Sequence, residues 1–139
     1  MGLPTAQEGR PFYRAGKQRF EDARLLLDKA ERTTGAIYLA GYGVECLLTA
    51  LVLSVIPATD RKEIVASFRG ARAHNYDWLK SRYFENGGAQ FPSEISKAFA
   101  LVNTWDTEWR YRSGTAPPRD AEAFLRAAEQ IIIWADGRL

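Results

Sequence analysis

One cysteine and one histidine are the only thiol and the only imidazole in this chain. Structural zinc sites take three or four such ligands, so these two residues do not build one by themselves. A single cysteine, Cys46, also excludes an internal disulfide framework and suits a reducing compartment. Charge of one sign is scarce as well. Nineteen basic residues stand against 17 acidic ones, a formal net charge of +2, so no overall basic field marks a nucleic-acid binder. There is no glycine-rich loop ending in Lys-Ser/Thr and no dinucleotide fingerprint. No stretch alternates polar and apolar residues between turn signals, as a strand would. The first 20 residues lack the apolar core of a signal peptide, which points to a cytoplasmic protein.

What is present is helical periodicity. The 139 residues, 46% hydrophobic and 26% charged, fit one soluble domain, residues 1–139 with a core of about 12–136. Pro11 to about Arg32 carries an apolar stripe of Phe20, Ala23, Leu27 and Ala30. Thr33-Thr34-Gly35 interrupts it, with Thr34 placed to cap a second helix running to about Ile56, before Pro57. Shorter helices follow over 60–68 and over 74–85, the latter with Trp78, Leu79 and Tyr83 facing inward. Ser93 is a suitable cap for a helix running to about Arg112. Ser113 to Pro118 cannot continue it, and a last helix runs from Arg119-Asp120 to Gly137. The expected fold class is all-α: a helical bundle with a long central antiparallel hairpin plus shorter helices.

The second helix is the most informative. Gly35 to Ile56 holds one charged residue, Glu45, among aliphatic and aromatic neighbours. Tyr38, Tyr42, Glu45 and Thr49 are spaced four, three and four apart and share one face. The length would suffice to span a membrane, but Glu45 mid-helix, the glycines and the missing basic flank point away from one. A buried carboxylate needs a partner. Arg110, within Trp105-Asp-Thr-Glu-Trp-Arg-Tyr-Arg112, is the expected one, as a structural bidentate pair.

One segment concentrates positive charge. Residues 60–83 hold six Lys and Arg against three Asp and Glu, a net of +3. At its centre stand Arg69, Arg72, His74 and Tyr76. An arginine can fork onto a phosphate, a histidine can move a proton near neutral pH, and a tyrosine can hydrogen-bond or stack on a base. These are the parts of a metal-free, cofactor-free ribonuclease, with Arg69, His74 and Tyr76 catalytic and Arg72 and Arg112 as further substrate-binding cations.

The stretch Gly35-Ala-Ile-Tyr-Leu-Ala-Gly-Tyr-Gly-Val-Glu-Cys46, preceded by the Phe20–Ala30 helix, resembles the opening hairpin of HEPN domains. These are the higher-eukaryote and prokaryote nucleotide-binding domains. The later Trp105…Arg110-Tyr111 resembles another of their elements. The resemblance is to the small prokaryotic members and covers nearly the whole chain. It implies a helical bundle and a homodimer. It also implies metal-independent RNA cleavage by an Arg-x4-His-x-Tyr motif, here Arg69, His74 and Tyr76, in a toxin–antitoxin or defence module. Two departures, Gly70 after the arginine and the mid-chain position of the motif, keep a second expectation. That is a non-catalytic dimer binding RNA or a nucleotide, serving as partner of a nucleotidyltransferase, or acting as a structural or interaction module.

Overall fold

The computed structural model describes residues 3–68 and 74–139, with the side chains of Thr107 and Arg110 outside that description. It is all helical, 77% helix, with no strand among the described residues. The helices are α1 (Arg10–Ala30), α2 (Thr33–Val55), α3 (Arg61–Ser67), α4 (Tyr76–Glu85), α5 (Ser93–Val102) and α6 (Pro118–Asp136). Short 3-10 turns occupy Gln7–Gly9, Ala58–Asp60 and Thr107–Tyr111.

The hairpin of α1 and α2 turns on Glu31, which adopts a left-handed φ of 53°, and Arg32 N–H closes the turn on Leu26 O at 3.0 Å. This is the bonding of a helix C-cap that most often uses glycine. The break therefore falls two residues before the expected Thr33-Thr34-Gly35. Thr34 is not a cap either: its hydroxyl donates to Gly114 O at 3.1 Å, while Thr33 donates to Ala116 O at 2.8 Å. The two helices run antiparallel and close. Gly16 on α1 meets Gly43 and Leu47 on α2, and a Cβ at Gly16 would overlap the Leu47 side chain.

Helix α2 is the core of the molecule. Fifteen of its 23 residues are buried, and α1, α4 and α6 pack around it. Leu47, Leu48, Leu51 and Leu53 are fully buried. It is long and apolar enough to cross a membrane, and 78% of its apolar window is covered by the rest of the protein. A helix apolar all round suits the centre of a bundle. Around its far end Tyr83, Phe91, Phe99 and Trp134 form a ring cluster that ties α4, α5 and α6 together.

Two expectations on element bounds are corrected. The fifth helix ends at Val102, not near Arg112, and Pro92 rather than Ser93 takes the position before it. Asn103-Thr104 follow, and Asp106 is extended, with its Oδ1 accepting the Glu108 N–H at 2.9 Å to start a separate 3-10 turn. Asn, Thr and Asp favour such local bonds over helix continuation. The break turns Trp105 into the core, 4% exposed.

Candidate functional site

The site grows from the polar face of α2. At Gly41 a Cβ would overlap the indole of Trp105, so glycine lets that ring lie against the helix backbone. Trp105 Nε1 donates to Tyr38 O at 3.2 Å. Beside it the buried Tyr76 donates its hydroxyl to Gly41 O at 2.7 Å, and the two rings stack with centroids 5.5 Å apart and planes 11° apart. Both side chains satisfy themselves on α2 carbonyls, which removes the cost of burying them. Together they fix the start of α4 against the middle of α2.

Two residues before Tyr76, His74 reaches Glu45. Its Nδ1 lies 2.9 Å from Glu45 Oε1. The Glu45 side chain is only 11% exposed, whereas the His74 side chain is 41% exposed. Tyr42 packs edge-on against the imidazole, with centroids 6.2 Å apart, and edge-on against Trp105 at 5.1 Å. With Glu45 ionised, the bond requires the proton on Nδ1, and Nε2 then carries the lone pair. No described residue hydrogen-bonds to Nε2. Burial raises the Glu45 pKa above its usual value, and the hydrogen bond and charge of His74 pull it partly back. A buried carboxylate behind an exposed imidazole is the arrangement that orients a general base.

In front of the imidazole lies a cavity of about 240 Å³, lined by His74, Tyr76 and Trp105 and rimmed by Asp77, Asp106 and Glu108. The rim is acidic, which disfavours a phosphate inside it. Asp77 is engaged with Lys80 at 3.2 Å.

His74 and Tyr76 thus meet at one site, but in different roles. Tyr76, expected to assist catalysis, is a core residue. Its hydroxyl is committed to Gly41 O, and burial, with the charge of Glu45, lifts its pKa well above the ordinary value. Its hydroxyl bond anchors the chain to α2 two residues after His74. Glu45 has His74 as a partner; the expected pair with Arg110 falls on a side chain outside the described residues. Arg69 and Arg72 lie outside the described residues. Arg112 is not at this cavity. Its guanidinium lies 4.1 Å over the Trp109 ring, at a second cavity on the other side of the Thr107–Tyr111 turn. The Cys46 thiol is pushed up to about 12 by burial and by the charge of Glu45, so it is inert at neutral pH. Among the described residues, no three His, Cys, Asp or Glu side chains converge as metal ligands would.

Sequence reasoning missed the Glu45–His74 pair and the seat of Trp105 on Gly41. The signal for the first was available: a lone buried carboxylate and a lone histidine. Which of the distant residues reaches Glu45 was not. Comparison with protein-family models finds no match, and comparisons with curated proteins and with solved structures find no similar chain.

Proposed function

We propose that the chain is a HEPN-like domain that cleaves RNA, with His74 as general base and Glu45 as the group that orients it. The observation that carries this reading is the 2.9 Å Nδ1–Oε1 bond between a buried carboxylate and a 41% exposed imidazole. In the reaction, Nε2 of His74 takes the proton of a ribose 2′-hydroxyl. The 2′-oxygen attacks the adjacent phosphorus, and the bond to the 5′-oxygen breaks. The products are a 2′,3′-cyclic phosphate and a 5′-hydroxyl, whose proton comes from solvent. Arg69 and Arg72 neutralise the phosphate in this reading, and the acidic cavity accepts the base or sugar rather than the phosphate. The proposed assembly is a homodimer in the cytoplasm, within a toxin–antitoxin or defence module.

The test is cleavage of a varied RNA pool by the purified protein, with and without a chelator. Cleavage is expected with the chelator present, ends in a cyclic phosphate, and fails on DNA, which lacks the nucleophile. Removing a general base typically costs 10²–10⁴-fold, so His74→Ala should lose at least about a hundredfold in rate. Glu45→Gln should lose less, and Tyr76→Phe should act on stability before rate. No cleavage of any RNA, or cleavage undiminished in His74→Ala, overturns the reading. In the first case a non-catalytic dimer that binds RNA, a nucleotide or a nucleotidyltransferase takes its place.

A further inference from the structure

A cavity of about 600 Å³ lies between α4 and α5. Its volume is in the range of small-molecule sites. Asp77, Lys80 and Phe84, spaced three and four apart, line it from one face of α4. Phe99 lines it from α5, and Asn103 from the position just after that helix. Asp77 and Asn103 are also walls of the His74 cavity, so the two cavities adjoin.

Charge in this cavity is balanced. Lys80 Nζ lies 3.2 Å from Asp77 Oδ1 and 4.8 Å over the Phe99 ring, so the cation is already engaged and does not call for a phosphate. The apolar part is a run of three rings. Phe99 and Phe91 stack with centroids 4.9 Å apart, and Phe84 lies against Phe91 at 4.9 Å. Phe99 is buried and Phe91 half-buried, whereas Phe84, at the end of the run, is 41% exposed. The ring run holds Phe84 in place while leaving part of its surface in water. Gln90 and Asn103, both exposed, line the same cavity, and no described residue bonds their side-chain amides. Each amide can both donate and accept. An exposed aromatic ring with free amides beside it and no net charge suits an uncharged planar group with donors and acceptors on its edge. Bases of single-stranded RNA are held in this way, by stacking and by hydrogen bonds to their edges.

We propose that this cavity holds a nucleobase of single-stranded RNA, stacked on Phe84, next to the nucleotide whose ribose is attacked at His74. The substrate is then read over two adjoining cavities. This inference rests on the reading of the His74 cavity as an RNA-cleavage site.

The test uses the whole protein and a short oligonucleotide, of a sequence it cleaves, with one ribose among deoxyriboses, so that one bond alone can break. It is made in three forms: with every base, and without the base on the 5′ or on the 3′ side of that ribose. Removing one of the two flanking bases should lower kcat/KM by about 5–150-fold, the range of one base–aromatic stack. In Phe84→Ala the intact and abasic forms should be cleaved equally, and in Phe84→Trp the preference should return. No cost at either flank, or a cost undiminished in Phe84→Ala, while cleavage still depends on His74, overturns this cavity and leaves the catalytic reading standing. If no RNA is cleaved, the catalytic reading falls and binding decides for the cavity. Labelled oligoadenylate and oligouridylate, followed by fluorescence anisotropy, should then bind at least about fivefold more weakly to Phe84→Ala than to the parent. Unchanged binding, or none to the parent, overturns the inference. Should Phe84→Ala fail to fold, Phe84→Leu, which fills the space against Phe91 without a planar face, takes its place in both measurements.

Discussion

Burial decides what Glu45 is worth. Its folded pKa is raised, so the folded state holds the proton more tightly than the unfolded chain does. Stability therefore falls as pH rises from the unfolded carboxyl value through the folded one, and the ionised form carries a desolvation cost at neutral pH. His74 offsets part of that cost. Glu45→Gln keeps an acceptor for Nδ1–H but removes the charge. It is expected to melt at the same temperature as the parent or higher at neutral pH, with a flatter dependence of stability on pH above the usual carboxylate range. His74→Ala leaves the carboxylate buried without its partner and should cost about 1–2 kcal/mol, less than a fully enclosed pair because the imidazole is half in solvent. In the double variant His74→Ala/Glu45→Gln that loss should largely vanish. Additive losses in thermal melts would mean that the two residues are not coupled.

At the scale of elements, glycine decides where helices touch. Gly41 was legible as part of a Gly-Tyr-x-x-Glu motif, but not as the seat of an indole. Its role depends on Trp105 turning inward after α5 stops at Val102, and the apolar period continuing through Trp105 and Trp109 hid that stop. Gly41→Ala should overpack this junction and destabilise the fold by about 1–3 kcal/mol. It should also shift Tyr76 and, through it, His74. The expected signs are a lower chemical-denaturation midpoint and altered chemical shifts of the His74 ring protons. A variant as stable as the parent with unchanged histidine ring signals would show that Trp105 does not need the gap. Alanine is otherwise the better helix former, so any loss must come from packing.

Across the whole molecule, α1 and α6 are joined by Lys17 and Asp136, 2.9 Å apart. Burial, the largest single influence, would raise the Asp136 pKa, but the hydrogen bonds from Lys17 and Tyr13 and the charge of Lys17 together outweigh it, and the carboxyl sits below its ordinary value of 3.8. The sign follows: this stability is present above the unfolded value and is lost as pH falls through the folded one. Lys17→Met removes the partner and keeps the apolar stem. Its acid-unfolding midpoint, followed by circular dichroism, should move to higher pH, with little change near neutrality because Lys17 is partly exposed and screened. An unmoved midpoint would place the acid sensitivity elsewhere.

The sequence by itself determined the all-α class, the central apolar helix, its polar stripe and the need of Glu45 for a partner. These follow from local periodicity and from the cost of burying one charge, both of which act within a few turns of chain. Only the tertiary structure brought His74 to Glu45, since the two lie 29 residues apart and no local pattern joins them. It also decided that Tyr76 is a core residue and that Trp105 rests on Gly41, with its indole bonded to a carbonyl 67 residues back. It separated Arg112 from the histidine as well, by ending α5 early and inserting a 3-10 turn between them. Such choices depend on which surfaces of separate helices fit together, and packing geometry of that kind is not written in the spacing of residues along one helix.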